Sequence, residues 1–106
     1  MTLRPLKFRN IKTVADGIVF DSQKEARRYG ELKLLQRAGE ITCLELQPKF
    51  PIVINGVKVC TYVADFGYVD HTGSALLEDC KGFKTREYII KRKLMKAVYG
   101  IDILET

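Results

Sequence analysis

Tyr62-Val63-Ala64-Asp65-Phe66 and, fourteen residues after Asp65, Asp79-Cys80-Lys81-Gly82 are the stretches from which the rest of the chain is best read. Both look like strands, yet each sets an acid where a half-buried strand ordinarily carries an apolar side chain. Side chains alternate along a strand, so Leu77, Asp79 and Lys81 share one face, and Leu76, Glu78 and Cys80 the other. Asp79 and Lys81 therefore stand side by side, a carboxylate next to an ammonium. Asp65 falls near the end of the preceding strand, with a turn between the two. Two carboxylates and a lysine converging at strand ends can bind a divalent cation and polarise a water beside a phosphate.

Working outward, Val57 to Tyr68 read as one long strand, preceded by an Asn55-Gly56 turn and an extended run from Phe50 to Ile54. Ile41 to Leu46 form another strand, which Gln47-Pro48 ends. On the far side, Asp70 to Gly73 turn the chain and Ala75 to Lys81 return antiparallel. His71, the single histidine, sits in that turn and is expected on the surface. Ser22 and Glu25 have the S-x-x-E spacing of a capping box, which opens a helix running to about Ala38 with Gly39 as its stop. Glu25 lies on the stripe of Tyr29 and Leu32, so it is either a cap alone or a third acid facing the Asp65/Asp79 site. Before it, Ile11 to Phe20 read as a hairpin around Asp16-Gly17. Residues 1–10, with Arg4, Lys7 and Arg9, are a loose terminus or a basic arm.

After the second acid, Thr85 is the expected N-cap of a helix that ends at Gly100, with Ile90, Leu94, Ala97 and Val98 as its buried stripe. Ile101 to Leu104 make a last strand. Hairpin, helix, strands, helix, strand is an α/β order: a central mixed sheet flanked by two helices, with an N-terminal hairpin, in one domain over 1–106.

The net charge is +5, and its distribution says more than its sum. Lys81, Lys84, Arg86, Lys91, Arg92, Lys93 and Lys96 fall within sixteen residues against one acid, Glu87. Arg92, Lys93 and Lys96 are expected away from the apolar stripe. The plain reading is a solvated basic face; the functional one is a row of cations tracking a phosphate backbone away from the acid pair. Cys43, Cys60 and Cys80 form no CxxC pattern and read as reduced, semi-buried residues of an intracellular protein. No apolar run has membrane length and no signal peptide is evident, so the expected setting is a cytoplasm, bacterial or that of a phage-infected host.

With these residues in view, Tyr-Val-Ala-Asp-Phe followed by Leu-Glu-Asp-Cys-Lys-Gly resembles the signature of the PD-(D/E)XK nuclease superfamily. Within it the likeness is to phage Holliday-junction-resolving endonucleases, with their Y-V-P-D-F…E-T-K-G pattern. The chain also resembles a family of small phage proteins of unknown function. The likeness spans roughly residues 11–105 and implies a restriction-endonuclease-like α-β-β-β-α-β core. It implies that Asp65, Asp79 and the Cys80 backbone carbonyl hold Mg²⁺, with Mn²⁺ able to substitute, and that Lys81 orients the attacking water or stabilises developing charge. Glu25 would match the acid often supplied by the first helix. Two departures stand out: Ala64 replaces the proline before the aspartate, and Asp79 replaces the commoner glutamate. Glu78 is adjacent, and a bulge could present it instead; Asp79 has the two-residue spacing to Lys81.

The expected activity is metal-dependent hydrolysis of DNA phosphodiester bonds, structure-specific on branched DNA, with Lys84, Arg86, Lys91, Arg92, Lys93 and Lys96 on the DNA. Rival readings are a phage DNA-processing nuclease without junction preference and a non-catalytic DNA-binding module on the same fold. The expected partner is DNA, not a membrane or a small molecule. Symmetric cutting of two strands would call for a homodimer.

Overall fold

A computed structural model describes residues 12–106, so the basic arm expected over 1–10 and the start of the hairpin at Ile11 lie outside the described residues. The elements in chain order are β1 (Thr13–Ala15), β2 (Ile18–Phe20), α1 (Gln23–Arg37), β3 (Ile41–Leu46), β4 (Lys49–Ile54), β5 (Val57–Val63), β6 (Phe66–Asp70), β7 (Ala75–Asp79), α2 (Arg86–Tyr99) and β8 (Ile103–Glu105).

The central sheet has four strands in the order β3-β6-β7-β8. β6 runs antiparallel to both neighbours, and β8 joins β7 in parallel, so the sheet is mixed as expected. α1, β3, β6, β7, α2 and β8 give the expected α-β-β-β-α-β order, with β4 and β5 inserted as a separate two-stranded ribbon. The N-terminal hairpin also forms: β1 pairs with β2 across Asp16-Gly17, both residues at positive φ, 52° and 74°. Two consecutive residues in that region make the turn whose twist matches paired strands.

The long strand expected from Val57 to Tyr68 is two strands. β5 pairs only with β4, then the chain leaves the ribbon at Ala64-Asp65 and enters the central sheet as β6. Backbone bonds fix the crossing: the Ala64 amide donates to the Pro48 carbonyl at 3.2 Å and the Asp65 amide to the Glu78 carbonyl at 3.0 Å. Asp65 is therefore at the junction of two sheets rather than inside a strand.

Each face of the central sheet has its own core. On one side α1 and the hairpin pack Phe20, Ala26, Tyr29 and Leu32 against Ile41, Phe66 and Tyr68 of the sheet. On the other, α2 and the ribbon pack Ile52, Tyr62, Ala64, Tyr88 and Met95 against Leu77. Fully burying a side chain such as Leu32 or Ile52 stabilises by about 1.5–3 kcal/mol, and both have 0% exposure.

α2 starts and stops where expected: Thr85 Oγ1 accepts from the Tyr88 amide, and Gly100 closes the helix at φ 71°. Its buried face is different. Tyr88 and Met95, one heptad apart, are buried, with Ile89 and Leu94 packed beside them, whereas Ile90 is 58% exposed and Ala97 and Val98 face outward. The helix is rotated toward Tyr88 because that ring seats on the sheet and its hydroxyl donates to Glu105 at 2.7 Å. Cys43 is another correction. It is exposed, at φ 58° in the irregular stretch of β3 between Thr42 and Glu45, while Cys60 and Cys80 are half-buried as expected. Among the described residues no helix is long and apolar enough to cross a membrane.

Candidate functional site

Asp65 and Asp79 hold one another through the backbone. The Asp65 amide reaches Asp79 Oδ1 at 3.2 Å, and Asp65 Oδ2 accepts from the Cys80 amide at 2.8 Å. The break between β5 and β6 brings Asp65 to the end of β7, and the strand register brings Asp79 there. The two carboxylates lie on the same side of the molecule. Asp79 is 1% exposed and its Oδ2 accepts from the Tyr62 hydroxyl. Tyr62 opens the motif that singled out Asp65, but nothing in its spacing showed that it would cap the other acid. Ala64, where the resemblance has proline, is fully buried and donates its amide to Pro48. Proline could not make that bond.

Lys81 completes the expected triad, with Nζ 4.0 Å from Asp79 Oδ1. The same ammonium lies 4.7 Å from the centre of the Tyr88 ring, which fixes its direction by cation–π attraction. Tyr88 is held in turn by Glu105.

Glu25 faces this group from α1. Ser22 caps the helix by accepting from the Glu25 amide at 3.1 Å, but among the described residues no hydrogen bond reaches the Glu25 carboxylate. The capping box is thus half formed, which leaves the side chain to line a pocket of about 100 Å³ with Asp21, Asp65, Gln47 and Phe20. Burial, then the charges of Asp65 and Asp21, push its pKa up to about 7. Burial is also the main reason the Asp79 pKa rises to about 6, with the Asp65 charge adding to it and the Tyr62 hydroxyl and Lys81 working the other way. These are acids crowded together with too little positive charge between them.

Glu78 is not available to the site. It is fully buried, faces α1, and accepts from Arg28 Nε at 2.8 Å and Nη2 at 2.7 Å, and from the Tyr68 hydroxyl. Both of its oxygens are taken, whereas Asp79 is the acid that meets Asp65. Cys80 follows, its amide on Asp65 and its Sγ 3.3 Å from Thr106 Oγ1.

The basic run is not of one sign once folded. Lys84 pairs with Glu105 Oε1 at 3.0 Å, Arg92 with Glu105 Oε2 at 2.7 Å, Lys96 with Asp102 at 2.9 Å, and Lys91 with Glu87 at 3.3 Å. The sequence pattern sets Arg92 away from the buried stripe; in the fold it lies on the Tyr88 side, 5.8 Å from that ring. Two of these acids, Glu105 and Asp102, come from β8 and the residues leading into it, beyond the window in which the cations crowd. Arg86 and Lys93 have no carboxylate partner among the described residues and are exposed. Glu105, gripped by Tyr88, Lys84 and Arg92, has its pKa held down to about 2.

The donor set fits a hard divalent cation. Asp65, Asp79 and Glu25 offer oxygen only, which suits Mg²⁺ or Mn²⁺ and not a soft metal. Among the described residues no three His, Cys, Asp or Glu side chains gather into a ready cage. Mg²⁺ seldom uses such a cage; it takes one or two carboxylates and keeps several waters.

The chain belongs to the family described as Protein of unknown function (DUF1064), whose model matches residues 5–103. No curated protein and no solved structure matches it.

Proposed function

We propose that the protein is a metal-dependent endonuclease that hydrolyses DNA phosphodiester bonds, and that branched DNA is its preferred substrate. The observation that carries this reading is the mutual hold of Asp65 and Asp79, with Lys81 at 4.0 Å from the second acid. A mere structural ion pair does not need two carboxylates latched together at the ends of two inner strands. The likeness of the Asp65…Asp79-Cys80-Lys81 pattern to PD-(D/E)XK nucleases supports the same reading, and the preference for junctions rests on that likeness alone.

In this reading Asp65, Asp79, the Cys80 carbonyl and Glu25 are the groups that would hold Mg²⁺ or Mn²⁺. The cation would supply charge neutralisation at the phosphate and a more acidic water. The chain's own part is positional. Tyr62 and the Asp65 amide fix the Asp79 carboxylate, and the Cys80 amide fixes that of Asp65. Lys81, steadied over Tyr88, orients the attacking water and balances negative charge as it grows on the phosphoryl oxygens. Water attacks phosphorus in line, the P–O3′ bond breaks, and the products carry a 5′-phosphate and a 3′-hydroxyl.

The test compares a four-way junction, a linear duplex and a single strand, each end-labelled, with Mg²⁺ or Mn²⁺ and with chelator. Preferential cutting of the junction that disappears in Asp79→Asn supports the reading. Equal cutting of all three would leave a nuclease without junction preference. Binding with no cutting in either metal would leave a DNA-binding module.

A further inference from the structure

Beside the acid pocket lies a second, larger cleft, about 230 Å³, lined by Thr61, Tyr62, Val63, Lys81, Thr85, Glu87, Tyr88 and Lys91. Its chemistry is opposite to that of the first. Asp21, Glu25 and Asp65 crowd acids on one side of the site. Here two lysines and two threonines line a common space, with Glu87 the one carboxylate. Lys81 belongs to both settings: it lines this cleft and stands 4.0 Å from Asp79. The cleft therefore begins where the acid pair ends.

We propose that this cleft is a subsite for a second phosphate of the cleaved strand, the one next to the scissile phosphate, with Lys91 as its principal cation. The inference rests on the nuclease reading for the identity of the strand, and on the cleft's own chemistry for the phosphate. Lys91 is held by Glu87 at 3.3 Å, one turn earlier on α2, and the Glu87 side chain is 77% exposed. Lys91 itself is 26% exposed, but a helical pair whose carboxylate stands in solvent is worth only a few tenths of a kcal/mol. Exchanging that carboxylate for a phosphate is thus inexpensive, and Glu87 can swing into solvent. Thr85 Oγ1 already accepts from the Tyr88 amide at 3.1 Å, which leaves its O–H free to donate. Lys84, Arg92 and Lys96 are tied to Glu105 and Asp102. Lys91 is the cation of α2 that lines the cleft together with Lys81.

Two variants move the outcome in opposite directions. Lys91→Gln should weaken binding of a short DNA strand about tenfold and raise KM by a similar factor with little change in kcat. Glu87→Gln should tighten binding two- to threefold, which a damaged fold would not do. The decisive measurement places single methylphosphonates, which are neutral, at each position around the cut. One neighbouring position should cost the wild type about tenfold and cost Lys91→Gln nothing. An equal penalty in both proteins overturns the proposal. The same variants are titrated with a phosphate-bearing dinucleotide in chelator, following the amide resonances of Thr61, Thr85 and Lys91. Shifts there that vanish in Lys91→Gln, in a protein that cuts nothing, keep the phosphate subsite and remove the nuclease. Cutting without Lys91-dependent phosphonate sensitivity keeps the nuclease and removes the subsite.

Discussion

Arg28 of α1 grips Glu78 of β7 with two parallel hydrogen bonds, Nε to Oε1 at 2.8 Å and Nη2 to Oε2 at 2.7 Å, one residue before Asp79. Glu78 is fully buried and Arg28 also holds Glu31 on its own helix at 2.9 Å. The planar fork of arginine matches a carboxylate in a way lysine cannot. The pair ties the helix that carries Glu25 to the strand that carries Asp79.

Breaking this pair should cost far more than removing a surface ion pair. Arg28→Met leaves a buried carboxylate with only the Tyr68 hydroxyl, a loss of about 3–5 kcal/mol. Adding Glu78→Leu and Tyr68→Phe should restore much of that, because the charge and its orphaned donor go together. Urea unfolding of the single and triple variants decides the matter: no recovery in the triple variant would mean that the network is not the source of the loss.

Glu25 gives a pH signature in the absence of metal. Its pKa stands at about 7 in the folded protein against 4.5 ordinarily. The folded state therefore keeps a proton that the unfolded chain has released. Its contribution to stability is complete below about pH 4.5 and is lost as pH rises through 7. Asp79, at about 6, adds in the same direction. In chelator, Glu25→Gln should flatten the fall in Tm between pH 5 and 8 and make the protein more stable at pH 8, by about 1 kcal/mol after solvent screening. Gln also serves in a capping box, so the helix start is kept. With metal, the same variant should lose most of its cleavage; full cleavage would return Glu25 to a helix cap.

Binding and chemistry should separate. Asp79→Asn should reduce cleavage by about 10²–10³-fold or more, while DNA affinity in chelator stays level or rises, since a negative charge beside the phosphate is gone. Lys81→Ala should lose cleavage to a similar extent with a modest loss of affinity. Gel-shift titrations alongside single-turnover cleavage read both quantities. Equal losses of affinity and rate would show that these residues serve binding.

Glu105 restrains two of the cations. Glu105→Gln should loosen Lys84 and Arg92, raise DNA affinity at low salt and steepen its salt dependence by up to about 0.9 for each cation that gains a phosphate. It should also destabilise the fold, because Tyr88 and Arg92 lose a charged acceptor. Neutralising Arg86 and Lys93, which have no such partner, should flatten the salt dependence by the same amount for each phosphate that is no longer neutralised. Unchanged slopes in both variants would make this helix a solvated face turned from DNA.

The nearness of Asp79 and Lys81 was legible because the Asp79-Cys80-Lys81 spacing is local. The turns at Asp16-Gly17 and Asn55-Gly56 and the caps at Ser22, Thr85 and Gly100 were legible for the same reason. What remained hidden depends on partners far along the chain. Ile89 and Ile90 are consecutive, so α2 offers two apolar stripes. Which of them is buried depends on Tyr88 meeting Glu105, seventeen residues later. Arg28 reads as one more exposed helical cation until Glu78 arrives fifty residues on. The break at Ala64-Asp65 carries no proline or glycine; it is made by the carbonyls of Pro48 and Glu78.

The junction of the two sheets at Asp65 has a kinetic consequence. The Asp65 amide is shared between the Glu78 carbonyl and Asp79 Oδ1, and the Cys80 amide is held by Asp65 Oδ2. Neither proton exchanges freely with solvent until Asp65, at the start of β6, separates from the end of β7. Deuterium uptake at these two positions therefore times the opening of the site itself, separately from the fraying of helix ends. A divalent cation that binds at Asp65 and Asp79 should lengthen those two lifetimes before it changes any others.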